Sequence, residues 1–184
     1  MSMWQFYQND ETKGKPGQDI AEEFLWSVPN VVWVDDVSKN PEYFNKGDFV
    51  ATTKKEVQLL IDSKYDNLAG KTGNLGIEVS DDIVHHTPGW FQKYVENNTH
   101  RIIVVCPSCN SLYTYRVDNM AKFIADHPNL REVITYDGYN HDAEQTDRRG
   151  LLKLVPMSIY RKEYNLREYQ YVNYDGKYQF TRVA

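Results

Sequence analysis

The chain has 184 residues, 41% of them apolar and 14% aromatic, with a net charge of −5, which suits one domain around a single core. No apolar run approaches the length of a membrane span, and Met1-Ser2-Met3-Trp4-Gln5-Phe6-Tyr7 carries no basic segment followed by an apolar one, so a soluble cytoplasmic protein without a membrane partner is expected. The acidic balance argues against an indiscriminate nucleic-acid binder, which advertises itself by a basic surface, although a local basic cleft on an acidic protein would suffice.

Residues 17–27 place Ile20, Phe24 and Leu25 at helical spacing behind a Lys15-Pro16-Gly17 breaker, which predicts a first helix. Residues 31–34 read as a short strand. Two apolar runs, 47–52 and 57–64, flank a polar Thr53-Lys54-Lys55-Glu56 turn and predict a β-hairpin. Residues 74–79 are expected as a third strand of the same sheet. Residues 88–97, with Trp90, Phe91, Tyr94 and Val95, form an amphipathic helix or a packed loop. The Ile102-Ile103-Val104-Val105 run marks a buried strand over 101–106, and a second strand follows over 112–117. Asp118 is expected to cap a helix running to about His127, with Met120, Phe123 and Ile124 on its apolar face. The polar stretch 137–150 reads as a loop. From Leu151 onward the chain is an aromatic and charged extension, with a hairpin turn at Tyr174-Asp175-Gly176-Lys177-Tyr178. A helix, a meander and returning strands make an α/β sandwich with a mixed central sheet. The whole of 1–184 is read as one domain, its core over about 15–136 and the extension over 151–184.

The chemistry concentrates in the hairpin. Antiparallel pairing brings Asp48, at the start of one strand, toward Asp62-Ser63-Lys64 at the end of the next. Alternation then puts Asp62 and Lys64 on one face. Mg²⁺ (or Mn²⁺) prefers oxygen ligands and keeps several waters, so Asp48, Asp62 and the Ser63 carbonyl make a partial shell with open positions for phosphate and water. Lys64 is placed to orient a nucleophile or stabilise developing negative charge. An acidic-x-lysine triplet by itself is ordinarily an exposed strand end with a weak ion pair.

Asp48 followed by Asp62-Ser63-Lys64 resembles the PD-(D/E)XK nuclease superfamily, the restriction-endonuclease-like proteins. Asp62-Ser63-Lys64-Tyr65-Asp66 with Lys71-Thr72-Gly73-Asn74-Leu75-Gly76-Ile77-Glu78 is similar to a stretch of small phage and bacterial members, and Pro88-Gly89-Trp90 before the 101–105 strand fits their order. The first motif is Gly-Asp rather than Pro-Asp, and the triplet acid is Asp where Glu is commoner. The resemblance implies a restriction-endonuclease-like sandwich whose mixed central β-sheet is flanked by helices, and a Mg²⁺-dependent deoxyribonuclease acting on DNA. It also implies an acid on the first helix, for which Glu22 and Glu23 compete with Gln18. A non-catalytic accessory protein on the same fold, of phage or anti-defence type, is the alternative, and the aromatic extension could serve a homodimer contact.

Cys106-Pro107-Ser108-Cys109 could supply half of a zinc site with His85, His86 or His141, but no second cysteine pair exists. A tight turn with reduced thiols is expected there. Lys54 with Lys55, Lys64 with Lys71, Arg148 with Arg149, and Arg161 with Lys162 and Arg167 are local basic groups, each also explicable as a solvated face.

Overall fold

The computed structural model describes residues 10–136 and 149–184. Helix α1 (Asp10–Ser27) leads into β1 (Val31–Asp36), β2 (Phe49–Thr53) and β3 (Gln58–Tyr65). A single turn, α2 (Ala69–Thr72), separates these from β4 (Asn74–Asp82), β5 (Thr87–Pro88) and α3 (Trp90–Glu96). Strands β6 (Arg101–Cys106) and β7 (Ser111–Arg116) precede α4 (Val117–Asp126) and β8 (Glu132–Tyr136). The chain closes with β9 (Arg149–Pro156), α5 (Met157–Glu163), β10 (Arg167–Tyr174) and β11 (Lys177–Arg182). No helix among the described residues is long and apolar enough to cross a membrane. The loop expected over 137–150 lies outside the described residues, apart from Arg149 and Gly150, which open β9.

Seven strands form one sheet in the order β1-β2-β3-β6-β7-β10-β11, antiparallel throughout except where β3 and β6 run parallel. The expected mixed α/β architecture is therefore present. A second, antiparallel sheet has the order β5-β4-β9-β8, and here the structure corrects the expectation. Strand β4 does not extend the hairpin sheet. The chain leaves α2 through Gly73, whose φ of 69° is left-handed and turns it away from β3. Its partner β9 lies far along the chain, beyond the reach of any local pattern.

Each face of the large sheet carries its own core. Ile20, Ala21, Phe24 and Leu25 of α1 pack on Phe49, Ile61, Ile103, Val105 and Leu112. On the other face Ile102, Val104, Tyr113 and Tyr115 meet Tyr94, Phe123 and Tyr160 from three helices, and Leu75, Ile77 and Val155 from the second sheet. Burial on both faces is why β6 reads as a continuous apolar run rather than an alternating one.

Three local expectations shift. Helix α1 continues through Pro16 instead of starting after it, since proline's fixed φ suits a helix and only one backbone hydrogen bond is forfeited. Asp118 lies in the first turn of α4 while Arg116 holds the N-cap position, and the Asp118 carboxylate pairs with the Arg116 guanidinium. The 88–97 segment resolves as helix α3. The terminal hairpin forms as expected, with Asp175 (φ 50°) and Gly176 (φ 81°) both left-handed, the conformation a two-residue turn between twisted strands requires. The last quarter is woven into both sheets, β9 pairing with β4 and β10 with β7.

Candidate active site

Register places the triplet. Asp62 and Lys64 are the partners of Ile102 and Val104 on β6, so both side chains face the core that contains Tyr94, while Ile61 faces α1. Tyr94 reaches them from α3, which is held by two contacts to β4. A Cβ at Gly89 would lie 2.5 Å from Glu78 O, so the absence of a side chain lets the start of α3 rest on the β4 backbone. Glu78 Oε1 also accepts the Trp90 N–H at 3.1 Å, meeting one of the donors that a helix start leaves open.

The cluster is closely bonded. Tyr94 Oη donates to Asp62 Oδ1 at 2.6 Å, and Lys64 Nζ donates to Tyr94 Oη at 3.0 Å. Lys64 Nζ also stands 2.8 Å from Asp62 Oδ2, yet Oδ2 has no hydrogen-bond donor aligned on it; we read that contact as an ion pair held by charge. The ammonium lies 5.1 Å from the centre of the Trp90 ring and 5.0 Å from that of Tyr94, within cation–π range of both.

Exposure separates the two charges. Burial, the largest influence, pushes the Asp62 carboxyl up to about 6; Lys64 pulls against this and Asp48 adds to it. Burial also works against the charge on Lys64, but Asp62 and then Tyr94 more than reverse it, so the ammonium is held above the ordinary lysine range. The difference is physical: the Asp62 side chain is 2% exposed and that of Lys64 30%, so the carboxylate loses more hydration than its partner replaces. Glu78 is raised mainly by burial, with the Trp90 N–H opposing. Lys64 acts on its charge in the same direction as Trp90.

Asp48 sits at the mouth of β2. Its N–H donates to Ile61 O at 3.0 Å, although Ile61 is the register partner of Phe49. Two successive residues thus address one, as in a β-bulge. Gly47 makes room for this, with φ 148° and a position where a Cβ would lie 2.7 Å from Ile61 O. The Asp48 carboxylate turns to Ser63: Oδ2 accepts the Ser63 N–H at 3.0 Å and the Ser63 hydroxyl at 2.6 Å. Asp48 is therefore near enough to raise Asp62 by its charge, but its hydrogen bonds go to Ser63.

The first-helix acids lie elsewhere. Helix α1 packs on the sheet face opposite Asp62 and Lys64, and Glu23 Oε2 accepts the Tyr178 N–H at 2.8 Å, tying α1 to β11. Neither Glu23 nor the half-buried Glu22 is brought to the cluster. The alternation that hides this is simple: Ile61 and Asp62 are neighbours in sequence and face opposite ways. Tyr94, which bridges both charges, was legible only as an apolar-face residue of the 88–97 segment.

The donor set suits a divalent cation. Asp48, Asp62 and the Ser63 carbonyl offer the oxygen ligands that Mg²⁺ prefers, and Asp62 Oδ2 is a buried oxygen without an aligned donor. These residues fit the ion in chemistry. Among the described residues no group of three or more His, Cys, Asp or Glu side chains gathers around one point, so the fit rests on two carboxylates and a carbonyl.

Outside the cluster, Asp82 Oδ2 lies 2.5 Å from His85 Nδ1, and that hydrogen bond pulls the carboxyl down to about 2. The pair closes the β4–β5 turn. Cys106 and Cys109 are unpaired thiols whose sulfurs lie 3.1 Å apart, the first capping and the second ending a 3-10 turn (Pro107–Cys109) that brings positions three apart into line. Burial raises the Cys106 thiol.

Comparison of the chain with protein-family models, with curated proteins and with solved structures returns no match.

Proposed function

We propose that the chain is a metal-dependent deoxyribonuclease of the PD-(D/E)XK kind, acting in the cytoplasm. The observation that supports this reading is the pairing of Asp62 and Lys64 on one face of β3, 2.8 Å apart, with Asp48 across the hairpin. Asp48, Asp62 and the Ser63 carbonyl would hold the cation, which when bound would acidify a water and neutralise charge on the scissile phosphate. Lys64 supplies a fixed positive charge, oriented by the Tyr94 hydroxyl and by the Trp90 and Tyr94 rings. Such preoriented charge stabilises a transition state without reorganising as the reaction proceeds. Tyr94 must give up Asp62 Oδ1 for the carboxylate to ligate fully.

A second reading is a nuclease-like protein without the chemistry. The observation that favours it is the closure of the cluster: Asp62 is 2% exposed, with Oδ1 taken by Tyr94 and Oδ2 beside Lys64. Incubating the purified chain with plasmid, linear duplex, single strands, branched DNA and RNA, with Mg²⁺, Mn²⁺ or chelator, separates the two. The nuclease reading expects cleavage that chelator stops and that Asp62→Asn removes. Intact substrates with both metals would leave the second reading.

A further inference from the structure

Four arginines from four different strands form one diagonal row on the large sheet. Arg101 on β6 is the register partner of Arg116 on β7. Arg167 on β10 pairs with Thr114, two residues from Arg116 and so on its face. Arg182 on β11 pairs with Tyr169, two residues from Arg167. Alternation puts all four on the face that carries Ile103, Leu112 and Tyr169, along a diagonal of four consecutive strands in which Arg101 and Arg116 are level and Arg167 and then Arg182 each step two residues further along. Neighbouring strands lie about 4.8 Å apart and a strand rises about 3.3 Å per residue, so this diagonal row spans roughly 20 Å.

Like charges directly opposite one another on a sheet repel, and here the protein supplies little to offset them. Arg116 is paired with Asp118, and Arg182 Nε donates to Ala184 O at 3.2 Å. Among the described residues no carboxylate lies within ion-pair distance of Arg101 or Arg167. Arg101 is half-buried as well, and its positive charge is disfavoured by burial first and by Arg167 and Arg116 next. On a chain of net charge −5, four gathered cations with one side-chain carboxylate among them, that of Asp118, form a surface short of counterions.

We propose that this arginine row binds the phosphate backbone of a nucleic acid. The chemistry selects that partner in two ways. The planar guanidinium fork matches phosphate oxygens, which it can meet bidentately. A diagonal row of cations also suits a linear polyanion, whose charges recur along one direction. The row lies on the opposite face of the sheet from Asp62 and Lys64, so it binds whether or not the chain cleaves.

Fluorescence anisotropy with labelled single-stranded and duplex DNA, in chelator and over a range of salt, tests this on the full chain. Each phosphate contact contributes a slope of about 0.7 for single strands and about 0.9 for duplex in log affinity against log salt, which is roughly fivefold or more per contact at 0.1 M salt. Arg167→Gln with Arg182→Gln is expected to weaken binding roughly 25-fold for a single strand and to flatten the slope by about 1.4. Lys54→Gln with Lys55→Gln removes the same charge from the hairpin turn and is expected to leave affinity within about twofold. Circular dichroism and melting establish that both double variants fold. The inference is overturned if wild-type protein binds neither DNA, if the lysine pair costs as much as the arginine pair, or if anionic vesicles or an acidic peptide bind the row and DNA does not. Absence of cleavage in the metal assay leaves this result untouched.

Discussion

The Tyr94 hydroxyl donates to Asp62 Oδ1 at 2.6 Å while accepting from Lys64 Nζ at 3.0 Å, so one phenol on α3 fixes both charges of β3. It joins the small helix to the sheet by serving the carboxylate and the ammonium at once, a hydroxyl being donor and acceptor together. Tyr94→Phe keeps the ring and removes both bonds. Hydrogen bonds to charged groups contribute about 1.5–3 kcal/mol each, and a buried carboxylate left without its donor is costly. We expect a stability loss of about 2–4 kcal/mol by urea unfolding, with Mg²⁺ affinity undiminished because Asp62 is retained and released from the phenol. Weaker metal binding in Tyr94→Phe would mean that the phenol shapes the site instead of closing it.

The position of Asp62 on the pH scale gives a second expectation. Its carboxyl titrates near 6 against an ordinary 3.8, so below pH 6 it is neutral and a poor ligand. Mg²⁺ affinity measured by calorimetry should rise about tenfold per pH unit up to 6 and level off above it. Stability has the opposite sign: the folded chain keeps a proton that the unfolded chain gives up between about pH 4 and 6, so this group's contribution falls as pH rises through that window. Asp62→Asn should abolish both trends, and a wild-type metal affinity flat from pH 5 to 7 would remove Asp62 from the ligand set.

Gly89 carries the third. A Cβ there would meet Glu78 O at 2.5 Å, Glu78 C at 2.8 Å and Ser80 N at 2.8 Å, all backbone atoms of β4 that cannot swing aside. Gly89→Ala must therefore lift the start of α3, and Tyr94 with it. A cost of about 1–3 kcal/mol is expected from such overpacking. Cleavage should fall with stability, since the helix that is displaced holds the phenol between Asp62 and Lys64. Wild-type stability in Gly89→Ala would show that α3 is not seated on β4 as described.

How far these features could be read from the sequence depends on how local their causes are. The hairpin of β2 and β3 follows from two apolar runs and one polar turn, and the Asp175-Gly176 turn from residues that tolerate positive φ. The double burial of β6 follows from its unbroken apolar run. The placement of β4 does not, because β9 is distant in the chain and a strand's own residues do not name its partner. The site divides in the same way. Asp62 and Lys64 share a face by alternation alone, whereas Tyr94 enters only through the packing of α3 on β4, and Asp48 is diverted to Ser63 by the irregular start of β2. The arginine row is the extreme case, four residues from four strands brought together purely by register.

The last expectation separates holding a cation from using it. Asp62→Asn exchanges a charged oxygen ligand for a neutral amide that keeps the size and can still meet the Tyr94 hydroxyl, so the fold should survive while Mg²⁺ binding weakens. Lys64→Ala removes no ligand and takes a positive charge from a point 2.8 Å from Asp62 Oδ2, so Mg²⁺ should bind as well as before or better, the cation replacing the lost ammonium beside the carboxylate. Its effect belongs to the chemical step: loss of a preoriented charge that acts on the transition state costs roughly a hundredfold or more in rate. Calorimetry and cleavage of a labelled duplex, run on both variants, read the two roles independently. Cleavage at wild-type rate in either variant would reduce the triplet to a buried ion pair of the core.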